Sequence, residues 1–464
     1  MVFSSLTFLF LFLPALYLLY FLSASPRWRN GVLVGMSLLF YGWGEPVWVL
    51  AMLFSTGVNY VCGVLLERTE SPGARKLILT AGVIASVAFL FYFKYAAFLL
   101  NSAAALAGSP WRMASPGLPI GISFYTFQIL TYSVDVYRRK APALKNPLRL
   151  LLYISCFPQL IAGPIVQYAD VAGQLAARRV TPDDFTDGML RFIKGLGKKV
   201  LLANVCGAAV EELAVGAGPA SFAGAWLSVF LYGLQIYFDF SAYSDMAIGL
   251  GRTLGFRYKE NFDFPYWSLS VTEFWRRWHI SMGSFFREYV YIPLGGNRRG
   301  AARTILNLLT VWALTGLWHG ASWNFMLWGL YFGGLLILER YALGKILDRL
   351  PKFLRRGVTF LLVLVGWAIF YHTDMAALGR HLAALFGAGV TGWTDPGTLA
   401  VLRRYTVFPL IAWLLSLPAV PALGARLGER AGHALRLILC LGIFVMSVLF
   451  LVGQSYNPFI YFRF

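Results

Sequence analysis

The chain of 464 residues has little of what a soluble enzyme carries. Only 13% of its residues are charged, against 58% hydrophobic and 17% aromatic. Ordinary soluble domains are about one-quarter charged, so the mean hydropathy of +0.64 excludes that class and points to a polytopic membrane protein. Cysteine is scarce: Cys62, Cys156, Cys206 and Cys440 lie far apart in apolar stretches. That spacing argues against a redox pair, a cysteine metal site and a disulfide framework, and leaves buried free thiols as the reading. Several soluble-enzyme motifs are missing, namely the G-x-S-x-G elbow, the phosphate loop ending in Gly-Lys-Ser/Thr, H-E-x-x-H and C-x-x-C. Gly249-Leu250-Gly251 with Gly255 has neither the spacing nor the preceding strand of a dinucleotide loop. No internal repeat, low-complexity tract or linker divides the sequence, so a single membrane domain over residues 1–464 is expected.

Acidic residues are also few, 21 against 40 Lys and Arg, for a formal net charge of +19. In a soluble protein that excess would suggest nucleic acid; here the positive-inside rule accounts for it and no nucleic-acid partner is expected. The cations gather in short loops at Arg27–Arg29, Arg68–Lys76, Arg138–Arg149, Arg178–Lys199, Arg252–Arg303, Arg340–Arg356 and Arg426–Arg436, which are therefore cytoplasmic. The turns at Gly44–Pro46, Gly108–Pro116, Gly216–Pro219 and His372–Thr398 are poorer in cations, which puts both termini outside the cytoplasm. The run Val2–Leu22 lacks a basic leader and a small-residue cleavage site, so it reads as a retained span, with no sizeable soluble domain beside the membrane part.

The fold class expected is all-α, with about 10–12 transmembrane helices plus re-entrant and amphipathic surface helices around a central cavity. Spans fall near residues 4–23, 31–43, 46–66, 77–100, 118–137, 200–216, 221–251, 357–372, 404–420 and 436–453. Residues 147–167 are broken by Pro158 and Ala162-Gly163-Pro164 between basic flanks, so this piece dips in and returns. Residues 304–338 are too long for one crossing and lie between Arg303 and Arg340. A hairpin of two short helices with its turn near Gly316–Asn324 reconciles length with charge; one long tilted helix would leave the centre at a similar depth. Between Asn261 and Gly300 the texture turns to Tyr, Trp, Arg and acidic residues, which reads as short amphipathic helices at the cytoplasmic surface. Ser270, three residues before Glu273, offers a capping start. Helical spacing then puts Trp275, Trp278, His279 and Met282 on one face and Glu273, Arg276 and Arg277 on the other. Gly329 and Gly333 form G-x-x-x-G, which signals close helix packing.

Against this apolar background a few polar groups stand out. His319, within Trp318-His319-Gly320-Ala321, lies in a stretch whose other strongly polar side chains are Asn307 and Asn324, and an ionisable group so placed is a functional candidate by default. A neutral histidine can take a proton from a hydroxyl, as general-base acyl transfer requires, or carry the acyl group itself. A packing histidine is the competing reading. His279 is equally compatible with a surface helix face and with a functional role. Asp239 and Asp245, six residues apart, do not share a helical face and should serve separate partners; pairing with Arg276, Arg277 or Arg252 is the structural expectation. Arg276 and Arg277 could instead hold the phosphates of a donor. Lys94, near the end of its span, can snorkel to the interface. No metal site is expected.

The runs Met1–Ser5, Leu118–Tyr125, Leu160–Pro164, Asp239–Gly249, Glu273–Ser281, Leu294–Arg298 and Leu317–Ala321 together resemble the membrane-bound O-acyltransferase family, in one order from the first residue to roughly Trp367. The resemblance implies a helical fold around a cavity open toward both membrane faces, in the bacterial cytoplasmic (inner) membrane among lipids. It implies His319 as the catalytic histidine and His279 as a second required histidine; beside them Trp318, Trp278, Asn324, Arg276, Arg277, Asp239 and Asp245 are read from the sequence as substrate- or donor-binding or supporting residues. It also implies an acyl, here acetyl, group from a cytoplasmic thioester donor, acetyl-CoA or an acyl carrier protein, acting as substrate with no tightly bound cofactor. The acceptor would be an exported or cell-surface polysaccharide, alginate-like or another exopolysaccharide, reached directly or through an extracytoplasmic acetyltransferase partner. Gly295-Gly296-Asn297-Arg298 favours the acetyl branch over the branch that moves D-alanine to a cell-wall polymer. A transporter of glycan or acyl groups is the alternative of a different class, suggested by the break at Gly163-Pro164 but lacking the usual repeats; a structural scaffold fits poorly with so many intramembrane ionisable groups.

Overall fold

Apolar helices in hydrocarbon gain little from hydrophobic contact with each other, so polar side chains and small residues hold them in register. The first 192 residues illustrate this. In the computed structural model, which describes residues 1–214, 221–419, 429–453 and 459–460, Asn59 on the Trp48–Arg68 helix donates to Ser86 of the Pro72–Lys94 helix at 2.9 Å. Its carbonyl accepts from Ser133 of the Ile122–Tyr137 helix at 2.9 Å. One buried amide thus ties three helices. Arg75 is buried and spends its guanidinium on the carbonyls of Leu66, Thr69, Val136 and Tyr137 at the ends of two of those helices, where cations complement the exposed C=O groups. Lys94 donates to Ser123 at 3.1 Å instead of only reaching for the interface.

The described residues form helices and no strand; the β-type pairing among them is an isolated bridge between Phe262 and Trp278. Two compact units emerge, one of Met1–Phe192 with Ser244–Lys259, the other of Ile193–Tyr243 with Glu260–Phe464. Four described helices, Trp48–Arg68, Pro72–Lys94, Lys352–Tyr371 and Ala434–Val452, are long and apolar enough to cross a membrane. A fifth crossing results if Pro396–Tyr405 and Val407–Leu415, bent by 66°, count as one. The further crossings of the expected ten to twelve would have to come from shorter or more polar helices, such as Phe222–Thr253 and Gly300–His319.

The two segments expected to be irregular are so. Residues 147–167 form Pro147–Ser155 and the single turn Phe157–Leu160, then a non-helical stretch through Gly163 at φ +98°, buried from Cys156 to Val166. Residues 304–338 form the hairpin, Gly300–His319 and Trp323–Leu338. Its turn at Gly320–Ser322 falls inside the expected window, but the helices are not short: 20 and 16 residues. Glycine makes the close approach possible. A Cβ on Gly316 would run into the Phe325 carbonyl and one on Gly329 into the Trp312 carbonyl, while one on Gly333 would stand 3.0 Å from the Trp312 side chain. The G-x-x-x-G therefore does pack helix on helix.

Three cysteines are buried free thiols and Cys440 is half-buried. The expected turn at Gly216–Pro219 lies outside the described residues.

Candidate active site

His319 is the last residue of the Gly300–His319 helix, carried to the hairpin tip and 6% exposed. Aromatic rings surround it. The centroids of Trp318, Trp328 and Phe370 lie 4.8, 4.9 and 5.2 Å from the imidazole, each steeply inclined to it. Phe370 comes from the last turn of the Lys352–Tyr371 helix, so that span and the hairpin close on the histidine together. Asn324 locks them: its amide donates to the carbonyls of Ile369 and Phe370 at 3.3 and 3.1 Å. It serves as a clasp between two helices, where the sequence suggested a companion to His319 in the site.

His279 is placed differently from the sequence expectation. The helix does begin where predicted, with Ser270 accepting from Glu273 N–H at 3.0 Å and Glu273 returning to Leu269 N–H at 2.8 Å. It stops at Arg277. Trp278 is extended and His279 sits in the left-handed region at φ +46° before a second helix, Ile280–Phe286. The single face of Trp275, Trp278, His279 and Met282 therefore does not exist, because the helix breaks at Trp278 and His279 in the middle of the stripe. The segment buries one face and exposes the other, Arg276 included. Phe274 and Trp278 are buried, the Trp278 ring tilted at 46° and 4.7 Å from that of Trp367, and His279 is 0% exposed. Local polar partners explain the break. Asn261 accepts from the backbone N–H of Ile280 and, through its side-chain oxygen, from Ser281 N–H at 3.1 Å and Ser281 Oγ at 2.8 Å.

That same oxygen lies 3.1 Å from His279 Nδ1. Because Ser281 N–H can only donate, the Asn261 oxygen is an acceptor, and His279 must carry its proton on Nδ1. Nε2 then holds a lone pair, buried and without a hydrogen-bond partner among the described residues. Burial pushes the His279 imidazolium down to about 3, so the ring is neutral near pH 7. Trp318 connects the two histidines, its ring 5.8 Å from that of His279 and 4.8 Å from that of His319. Phe240 covers the other side of His279 at 4.6 Å. The second unit thus gathers His319, His279, Trp318 and Trp278 in one buried aromatic cluster.

The remaining candidates separate. Asp239 does not pair with an arginine; it takes Lys199 at 2.5 Å, with both side chains 3% exposed, and the N–H of Ile460 at 2.8 Å. Asp245 belongs to the first unit, where Arg191 meets it at 2.9 Å. Arg252 is spent on Asp184 and Asp187. The two carboxylates do serve separate partners, but not the expected ones. Arg277 is engaged by Glu273 at 2.9 Å and Asp263 at 3.4 Å, whereas Arg276 is exposed. Among the described residues no cluster of three or more His, Cys, Asp or Glu could hold a metal ion. Asn261, Phe240, Phe370 and Lys199 were not singled out by sequence. Asn261 carried a faint signal, as the polar residue opening the segment where apolar runs cease.

Comparison with known proteins follows the same lines. Residues 133–356 match the membrane-bound O-acyltransferase family. Over the full length of both chains the sequence is 39% identical to the probable alginate O-acetylase AlgI of Pseudomonas putida. It is 33% identical to the peptidoglycan O-acetyltransferase of Helicobacter pylori over 83% of this chain and 80% of that protein. Identity to the teichoic acid D-alanyltransferase of Bacillus subtilis is 27% over 47% of this chain and 58% of that one.

Proposed function

The chain belongs to the membrane-bound O-acyltransferase family, and from that premise we propose that it transfers acetyl from a cytoplasmic thioester to a hydroxyl of an exported polysaccharide, with His319 at the transfer point. The observation that carries this reading is the buried aromatic cluster in which Trp318 lies against both His319 and His279. As a base, His319 takes the hydroxyl proton while the acceptor oxygen bonds to the thioester carbonyl carbon; the C–S bond breaks and the thiolate leaves with a proton. As a relay, His319 nitrogen first bonds to the thioester carbonyl carbon as the C–S bond breaks and the thiol departs; the acceptor oxygen then bonds to that carbon, the C–N bond breaks and the hydroxyl proton passes to the freed imidazole. His279 offers its Nε2 lone pair to a hydroxyl, thiol or protonated imidazole in the same cluster. The surrounding rings exclude water, which would otherwise hydrolyse the thioester.

Arg276, exposed and one turn from the cluster, is the cation for the donor's phosphates; Arg277, held by two carboxylates, supports the helix that presents it. Acetyl-CoA or an acyl carrier protein is the donor. The acetyl branch is favoured because the O-acetylating relatives align over most or all of the chain, the D-alanylating one over 47% of it. The setting is a bacterial cytoplasmic membrane, with the acceptor or an acetyltransferase partner on the far side. Replacing His319 with alanine should cut acetyl transfer by about 10²–10⁴-fold, the usual worth of a positioned acid or base, while the protein still inserts and resists proteolysis. Unchanged product acetylation in such a variant would refute the assignment.

A further inference from the structure

Two histidines outside the cluster form a polarised pair. His381, on the Met375–Leu385 helix and 4% exposed, lies with Nε2 3.2 Å from the Ala225 carbonyl. A carbonyl only accepts, so this nitrogen bears the proton and His381 Nδ1 is an acceptor. His372 Nε2 stands 2.7 Å from it and must donate. The outcome is directional: His372 Nδ1 keeps a lone pair, makes no hydrogen bond among the described residues, and belongs to a half-buried side chain. Burial, aided by the mutual field of the two rings, holds His372 well below the ordinary histidine range, at about 4. Arg380 acts in the same direction and Asp374 against it. The pair is therefore a neutral, oriented acceptor, an arrangement that a purely packing role does not need.

Its location adds meaning. His372 follows the Lys352–Tyr371 helix, two residues after the Phe370 ring that packs on His319, a chain distance of at most about 7 Å. It opens the cation-poor segment 372–398, assigned to the non-cytoplasmic side by charge. In the same segment Trp393 is 72% exposed and its ring stacks on Phe222 at 4.8 Å and 26°. Phe222 and Ala223 anchor that stretch by donating to the carbonyls of Gly392 and Trp393. Phe222 lies three residues from Ala225 on one helix, about 4.5 Å of rise. His381, which orients the His372 lone pair, and the braced indole of Trp393 thus both pack on the first turn of the Phe222–Thr253 helix.

We propose that His372, positioned by His381, and Trp393 form a subsite for a sugar ring of the carbohydrate acceptor, His372 Nδ1 accepting a sugar hydroxyl and Trp393 stacking on the ring's C–H face. This rests on the reading that the acceptor is a polysaccharide. His372 and Trp393 bind; His381 acts through His372.

The test uses full-length protein in lipid nanodiscs and a short uronate oligosaccharide, followed by calorimetric binding and, separately, by acetylation kinetics with a thioester donor. Loss of one hydrogen bond or one stacked face corresponds to about five- to tenfold weaker binding, expected for His372→Ala and for the exposed Trp393→Ala. His381→Ala should weaken binding similarly, and His381→Gln should restore it, because the amide can both donate to Ala225 and accept from His372. In kinetics the variants should raise KM for the oligosaccharide and leave kcat and the donor KM within twofold. Undiminished binding in both His372→Ala and Trp393→Ala, or a fall in kcat alone, overturns the subsite. Binding that weakens as stated without any acetylation by the wild-type protein would leave the subsite standing and refute the proposed reaction; acetylation with unchanged acceptor KM would do the reverse.

Discussion

Replacing Asn261 tests whether His279 works through a fixed tautomer. The Asn261 oxygen receives His279 Nδ1, Ser281 N–H and Ser281 Oγ, all within 3.1 Å. Asn261→Ala removes the shared acceptor of these donors and leaves His279 Nδ1 only the longer contact to Ser281 Oγ, 3.4 Å, in a region where His279 is 0% exposed. A buried donor left unmade costs roughly 1–3 kcal/mol. The imidazole can avoid that cost by moving its proton to Nε2, which removes the lone pair from the cluster. If His279 must present that lone pair, the same 1–3 kcal/mol appears in the barrier, a loss of about 5- to 150-fold in kcat. Asn261→Asp separates orientation from charge, since a carboxylate still accepts from Nδ1 but favours the imidazolium. The wild-type pKa is depressed to about 3, so His279 contributes no acid limb to activity above about pH 4. Asp at 261 raises it, and activity should then fall as pH drops through the new value. The linked stability effect has a definite sign. With the folded pKa below the ordinary 6.5, the unfolded chain binds more protons between about 3 and 6.5. Stability is thus fullest above 6.5 and is lost as pH falls, by up to about 1.4 kcal/mol per pH unit. Acetyl-transfer rates from pH 5 to 8, together with thermal melts in detergent, measure both effects. Wild-type kcat and an unshifted pH profile in a well-folded Asn261→Ala protein would refute the tautomer argument.

Two structural predictions follow from the second unit. Gly329→Ala pushes a methyl into the Trp312 carbonyl, backbone that cannot swing aside, and overpacking of this kind costs about 1–3 kcal/mol; a lower melting temperature with reduced transfer is expected, and an unchanged melt would contradict the close approach. Asp239→Asn leaves Lys199 as a buried charge without its carboxylate, at a cost of about 3–5 kcal/mol. The paired apolar replacement Lys199→Met with Asp239→Leu should recover much of that stability, and equal stability of the single and double variants would show that the pair is not buried as a unit.

Legibility differed sharply between elements. The hairpin was readable because two basic flanks and a length of 35 residues admit few solutions, and because histidine in such a stretch is conspicuous. The start at Ser270 was readable from the capping pair. The break at Trp278–His279 was not: the residues from Val271 to Phe286 suit one continuous helix, and what interrupts it is Asn261, ten residues upstream of Val271, collecting donors from Ile280 and Ser281. Asp239 similarly defeated pairing by proximity in sequence, since Lys199, 40 residues away, reaches it first.

Composition, the placement of cations and the periodicity of apolar runs were enough to establish a helical membrane protein, its broken segments and the importance of His319, because each of these depends on the local cost of moving residues out of water. Which groups meet depended on the tertiary structure. Trp318 joins His319 to His279, Asn324 fastens the hairpin to Ile369 and Phe370, and Asn261 sets a proton on one nitrogen, all through contacts between segments distant in the chain. Hydrogen bonds and ring contacts act over a few ångströms and are indifferent to sequence separation, so only the folded chain decides them.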